Sequence, residues 1–322
     1  MDQGRNSQTT KNKYGIFFFV LTFIFILIGC EISWASKPLT VIDDLQRSVE
    51  LPRPAVRIVS LSDAHTENLV AIRAVRQLVG VNFSADGKWV LKNIPRLSLT
   101  PSAEQIAALD PDIVIVDTGW AKKNMGLMKD LDKAGIKYAA LDRPKWAVLT
   151  QYLEKLGAIS GRSKEAAQTL LLSEKSLYKG EIRSAKTKNK KVFVIAGADF
   201  STCAADSWGA RLIDSTGARI ITDAGGTKIK DYPWYIFYGP QKLASEGKDA
   251  EVIITLKNIR RGVASVSREE IMKDTRFKNI PAVRNGMVWE MDEFDLMLPS
   301  IVRLDSSLLK CWQLISGSNK IK

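Results

Sequence analysis

Histidine is almost missing from this sequence: His65 is the only one in 322 residues. That excludes HExxH proteases and three-His zinc or manganese centres, and any Ser-His-Asp triad would have to use this one imidazole. Cysteine is scarce too, with three in the chain, so a disulfide-stapled miniprotein is excluded. The sequence has no GxSxG elbow, no P-loop, no GxGxxG and no cluster with metal-ligand spacing, which leaves an exported hydrolase without a recognisable site. No nucleic-acid motif accompanies its basic residues. The longest apolar run, Ile16 to Ile28, is interrupted only by Thr22 and has 13 residues. Spanning a bilayer as a helix takes about 20.

What is present is a chain that is 45% hydrophobic and 25% charged, too apolar to be a disordered tail. It is long enough for about two folding units of roughly 150 residues. Arg5, Lys11 and Lys13 precede the apolar run, which is the layout of an export signal. The run ends in Leu27-Ile28-Gly29-Cys30, which resembles a bacterial lipobox and implies lipidation of Cys30; the alternative is cleavage elsewhere with Cys30 incidental. The expected organisation is a signal peptide over 1–29, a lipidated tether over 30–37, an N-terminal lobe over 38–145, linking helices over 146–188 and a C-terminal lobe over 189–322. Lys+Arg total 47 against 35 Asp+Glu, a formal +12. Removing Asp2, Arg5, Lys11 and Lys13 leaves 12 − (3 − 1) = +10 on the exported part. Such an excess suits nucleic acid, anionic lipid or an anionic small ligand. The one basic run, Lys186, Lys188, Lys190 and Lys191, reads as a solvated helix end.

Short aliphatic strands alternate with helices past the signal, which predicts an α/β fold. The strands are Arg57–Leu61, Leu78–Val81, Asp112–Val116, Lys137–Leu141, Lys191–Ala196, Arg219–Thr222, Glu251–Leu256 and Met287–Met291, mostly continuous apolar runs as in sheets covered on both faces. Helices are expected over Asp63–Val75, Ser102–Leu109 with Ser102 as N-cap, and Lys122–Ala134. Between the halves Trp146–Ala158 and Ser163 to about Lys186 follow each other without a strand. The architecture expected is two Rossmann-like lobes joined by a long rigid α-helix, with a ligand cleft between the lobes at the strands' carboxyl ends. A helical strut of this kind permits a small rocking rather than a wide hinge swing.

Several segments then carry a resemblance. They are Thr40-Val41-Ile42-Asp43-Asp44 with Val49-Glu50-Leu51-Pro52, Arg57-Ile58-Val59-Ser60-Leu61 with Thr66-Glu67, and Val79-Gly80-Val81. Further along come Ser102 through Leu109 into Asp110-Pro111-Asp112-Ile113-Val114-Ile115, Gly225-Gly226, Asp249-Ala250-Glu251-Val252-Ile253, and Ile280 through Val288. In order and spacing they resemble the iron-siderophore and cobalamin periplasmic-binding family, the substrate-binding proteins of ABC importers, over about residues 38–315. The resemblance implies a non-enzymatic, monomeric receptor with no metal site of its own and no cofactor, whose cargo is an iron chelate, with cobalamin or haem as the alternative. It implies a permease and ATPase complex as partner, a lipid anchor at the membrane, and no nucleic acid. It also implies that Glu67 projects from the first lobe to meet permease arginines. At the matching place in the second lobe stands Gln241, so that either Gln241 or nearby Glu246 makes the second contact. A sensory lipoprotein on the same fold is the competing class.

The cleft loops after the strands are aromatic and polar, a mixture suited to large flat ligands. Candidates are Asp63, His65, Phe83, Trp89, Trp120, Arg143 and Trp146 from the first lobe. From the second come Asp199, Phe200, Ser201, Trp208, Trp234, Tyr235, Tyr238, Lys257 and Arg260, with Trp208 equally readable as core. His65 either ligates a haem, caps its helix or hydrogen-bonds a ligand, with Tyr235 or Tyr238 as a possible second oxygen ligand. Cys203 and Cys311 either form a bridge or are two buried thiols.

Overall fold

The computed structural model describes residues 38–82, 91–222, 226–260 and 262–318. The chain opens with an antiparallel hairpin of β1 (Leu39–Ile42) and β2 (Ser48–Leu51). Its inward side chains Val41, Val49 and Leu51 are buried, while the alternate positions face out, the period of a half-covered strand. Asp43, fully buried, ties the turn down. Its Oδ1 accepts from the backbone of Leu45 and Arg47, and its Oδ2 accepts from Ala140 N at 3.1 Å.

The first lobe is a parallel sheet of β3 (Ile58–Ser60), β4 (Leu78–Asn82), β5 (Arg96–Leu97), β6 (Ile113–Asp117) and β7 (Tyr138–Leu141), in the order β5-β4-β3-β6-β7. The second is built on β8 (Lys191–Ile195), β10 (Arg219–Ile220), β13 (Val252–Lys257) and β14 (Val288–Asp292), in the parallel order β10-β8-β13-β14. Strands such as Val252–Leu256 are buried at every position, because helices cover both faces and leave no solvated side for polar residues. A small antiparallel sheet flanks the second lobe, formed by β9 (Thr202–Cys203), β11 (Lys228–Ile229) and β12 (Tyr232–Ile236). Two lobes on parallel sheets are therefore what the chain forms.

Helix Leu149–Ser160 and the strut helix Ser163–Ile182 connect them. The first ends at Gly161 in the left-handed conformation (φ 66°), which glycine adopts without the Cβ penalty. Gly157 is required by packing: a Cβ there would come within 2.9 Å of Ser163 Cα and 3.0 Å of Ala166 Cβ. The strut runs 20 residues and tightens into a 3-10 turn over Arg183–Lys186. The C-terminal helix Leu304–Ser316 packs on the strut and on helix Trp208–Asp214. The expected single helix over Lys122–Ala134 is instead two, Thr118–Lys123 and Met125–Lys133, broken at Asn124, whose side chain donates back to Trp120 O at 2.8 Å. No helix among the described residues is long and apolar enough to cross a membrane.

Candidate functional site

The carboxyl ends of the two parallel sheets feed loops into a shared cleft, and the groups that meet there come in oppositely charged or aromatic pairs. The loop after β7 supplies Arg143, Pro144 and Lys145; the second lobe supplies Asp206, Ser207, Trp208, Pro233 and Trp234, with Met297 and Pro299 as floor. Together they line about 410 Å³ of space, counted out to the open mouth. The guanidinium of Arg143 lies 4.4 Å from the Trp234 ring centroid, a cation–π contact joining the lobes. Trp146 stacks on Trp208 at 3.9 Å and 13°.

Ion pairs cross between the lobes as well. Lys145 Nζ reaches Asp206 Oδ2 at 3.2 Å, and Lys228 Nζ holds both oxygens of the same carboxylate at 2.9 Å. Partial burial alone would raise the Asp206 carboxyl, but the hydrogen bonds from Lys228 and Lys145 hold it below the usual carboxylate range. Lys123 pairs with Asp231 at 3.1 Å. Asp63, the first residue of helix Asp63–Ala71, binds the Arg260 guanidinium from the loop after β13 and accepts from Asn82 Nδ2 at 2.7 Å. Arg260 also lies over the Phe294 ring at 3.3 Å.

Four of the sequence candidates thus make interlobe contacts: Arg143 with Trp234, which line the cleft, and Asp63 with Arg260. Several others are placed elsewhere. His65 is fully buried, with Nδ1 2.8 Å from Tyr152 Oη and Nε2 3.2 Å from Leu141 O. A carbonyl only accepts, so Nε2 carries the proton and Nδ1 accepts from the tyrosine. Burial pushes the imidazole pKa down, an effect that the charge of Asp117 opposes only in part. His65 is a core residue and reaches no cleft ligand. Tyr235 is also buried and donates to Glu293 Oε1 at 2.6 Å. Tyr238 packs edge-on to Phe193 inside the second lobe. Both tyrosines are corrected from cleft to core, because each points off its backbone away from the loop surface.

Ser201 is buried and bonded within its own loop, its Oγ to Asp199 Oδ1 at 3.1 Å; neighbouring Phe200 is buried as well. Trp120 is half-buried against the first lobe's core. Lys257 is exposed at the end of β13 and faces Glu290 at 3.9 Å. Cys203 and Cys311 are two buried free thiols; burial pushes the Cys311 thiol up to about 12 and that of Cys203 higher still, so neither is a nucleophile at neutral pH. Phe83, Trp89 and Cys30 lie outside the described residues. Among the described residues no three His, Cys, Asp or Glu side chains form a group able to hold a metal ion.

Glu67 requires the largest correction. It is 4% exposed, and both its oxygens are held by Arg303 at 2.7–2.9 Å, so its carboxylate is spent inside the molecule and does not project from the lobe. Beside it the Asn68 amide donates to Pro299 O and accepts from Ile301 N, both at 2.9 Å. These two side chains join the first lobe to the segment entering the C-terminal helix.

A family model described as periplasmic binding protein matches residues 58–293, more than half of the chain. The chain belongs to that family. Its members are described as periplasmic binding proteins, so binding outside the cytoplasm is the class of activity. No curated protein matches the sequence. Among solved structures, a haem-binding protein of Pseudomonas aeruginosa is 22% identical, with TM-score 0.66 over 83% of this chain and 94% of that one. A possible iron-binding protein of Staphylococcus epidermidis is 18% identical, with TM-score 0.67 over 82% and 99%. A vitamin B12-binding protein of Vibrio cholerae is 18% identical, with TM-score 0.60 over 84% and 100%. At these identities the likeness is one of fold.

The carboxylates that sequence reasoning missed are Asp206 and Asp231 of the second lobe. Asp206 meets a lysine 61 positions away, which no local pattern signals. Glu104 lies outside these pairs, on a short helix that the lobes repeat before an inner strand. In the first, Ser102 is the N-cap and Glu104 the second helical residue ahead of Asp110-Pro111-Asp112-Ile113; in the second, Gly239 is the N-cap and Gln241 the second residue ahead of Asp249-Ala250-Glu251-Val252. Both Glu104 and Gln241 are exposed.

Proposed function

We propose that this chain is a lipid-anchored receptor of an ABC importer, held at the cell envelope through Cys30, that captures an anionic metal chelate such as a ferric siderophore and delivers it to a membrane permease. The observation that carries the reading is the interlobe cleft of Arg143 and Lys145 set against Trp234 and Trp208. Lys145 is paired with the half-exposed Asp206 carboxylate and Arg143 with the Trp234 ring, contacts that an anionic ligand replaces without a buried charge being stranded. The relatives described as iron-, haem- and vitamin B12-binding support a metal-chelate cargo. A haem held by protein side chains is disfavoured, since His65, Tyr235 and Tyr238 are all buried. Cobalamin is the second reading, favoured by the paired indoles Trp146 and Trp208 at the cleft.

Docking runs through the repeated short helices, with Glu104 as the acidic contact in place of Glu67. Gln241 or Glu246 serves in the second lobe; Glu246 is exposed and lies 3.7 Å from Lys242. The test is a tryptophan-fluorescence titration of the purified chain with a ferric siderophore and its iron-free form. A strong response to the ferric form alone supports the reading, and a response only to cobalamin, corrected for its absorbance, replaces it with the second.

A further inference from the structure

The strut helix Ser163–Ile182 buries Ala166, Thr169 and Ser173 on one side. On the other it exposes apolar side chains to an unusual degree: Leu171 is 65% exposed, Leu172 63% and Tyr178 64%. At 100° per residue Leu171 and Tyr178 fall within one narrow outward stripe, with Leu172 on its flank. Lys164 and Lys175 are exposed in the same stripe and Lys179 on its Leu172 flank, against one exposed carboxylate, Glu174, on the other flank, so the face carries a net positive charge. Among the described residues none of these three lysines has an acidic partner. The basic character continues past the helix in exposed Lys186 and Lys188. A core helix would not leave leucine and tyrosine outside, and a purely solvated helix end would not alternate them with lysine. Apolar side chains set among long, unpaired cations are what an interfacial helix presents to an anionic lipid surface, where the lysine stems lie flat and the ammonium groups reach the headgroups.

A second observation points to the same occupant. The described chain begins beside this helical layer: β1 packs on helix Leu149–Ser160, which packs on the strut. Eight residues lie between Cys30 and Leu39, and the nine Cα–Cα steps at about 3.3 Å each span about 30 Å at most. Two helix layers of about 10 Å each lie between β1 and the strut's outer face, a span shorter than the full reach of that tether.

We infer that the outward face of the strut, centred on Leu171, Lys175 and Tyr178, is a resting surface for an anionic phospholipid bilayer. This rests on the tether of the proposed function for proximity, and on the face itself for affinity. On the membrane it turns one defined side of the receptor to the lipid and gives the rest of the molecule a fixed outlook.

The test uses the full chain, purified from membranes and reconstituted into vesicles of phosphatidylcholine with or without phosphatidylglycerol. An environment-sensitive fluorophore is placed on Gln168→Cys, exposed in the same stripe, and in a second sample on Ser245→Cys, outside it; Cys203 and Cys311 are buried and do not compete for label. The label at 168 should brighten severalfold only in phosphatidylglycerol vesicles, lose the gain at high salt, and lose it in a Leu171→Glu, Tyr178→Glu background. The label at 245 should not respond. Equal signals in both vesicle types, or at both positions, overturn the proposal. A brightening that follows protein concentration and ignores lipid charge overturns it in favour of a second copy of the chain on this face. Mass spectrometry of the acyl chains on Cys30 reads the tether separately, so loss of the anchor and loss of the face are told apart.

Discussion

The two edges along which the lobes meet are built on opposite principles. At one, helix Asp63–Ala71 faces the segment Leu298–Arg303 through buried groups: Glu67 is held in a two-pronged ion pair by Arg303, Asn68 forms two bonds to backbone, and the network runs on through Tyr152 to His65. At the other, across the cleft mouth, the pairs Lys145 with Asp206 and Lys123 with Asp231 have side chains that are about half exposed. Breaking a buried pair strands a charge and costs about 3–5 kcal/mol, whereas an exposed pair is worth about 0–1 kcal/mol. The difference makes one edge a fulcrum and the other a set of latches that salt loosens and an anionic ligand can take over. A rocking motion about the buried edge follows, in keeping with a helical strut between the lobes.

The largest effect should come from Arg303→Met, which leaves Glu67 buried and unpaired. Urea unfolding should show a loss of about 3–5 kcal/mol; a loss near zero would mean that the edge is not a fulcrum. Asn68→Ala orphans a carbonyl and an N–H and should cost about 1–3 kcal/mol in the same assay.

Acid should attack the same edge. Burial lowers the folded pKa of His65, so the unfolded chain binds the proton more readily. Its contribution is complete above the unfolded value of about 6.5 and is lost as pH falls through the lowered folded value. Unfolding free energy measured over this range should decline toward acid more steeply in the wild type than in His65→Gln, and parallel curves would remove His65 from the account.

The mouth should respond least. Asp206→Asn frees Lys145 and Lys228, should change stability by less than about 1 kcal/mol at low salt and by nothing measurable at high salt, and should tighten binding of an anionic ferric chelate.

The same contrast separates what could be read in the sequence from what could not. The inner strands were legible, since runs such as Ile113-Val114-Ile115-Val116 have one stable home, between two helical layers. The strut was legible from its length, its capping and the lack of a strand before it. β12 was not, because Pro233 disguises a strand, and with the strand went its parity: neighbours in a strand face opposite ways, so Trp234 and Tyr235 could not both line the cleft. Glu67 read as a surface residue because its partner lies 236 positions away, and His65 read as a loop ligand because Tyr152 lies 87 away. Local pattern gives elements; long-range pairing decides which polar residues are buried. Glu104 shows the limit from the other side, since the repeat that singles it out needed only the two short helices to be aligned.

The claim of a fixed edge and a moving mouth is tested most directly by pulsed electron-resonance distances between nitroxides on the two lobes. One pair should span the mouth, at Lys122→Cys and Lys230→Cys, and one the buried edge, at Arg73→Cys and Ser306→Cys. A gallium chelate in place of the ferric one keeps the ligand diamagnetic. On ligand addition the mouth distance should change by a few ångströms and sharpen while the edge distance stays constant. An edge that moves as far as the mouth, or a mouth that swings open widely about a flexible linker, would contradict it.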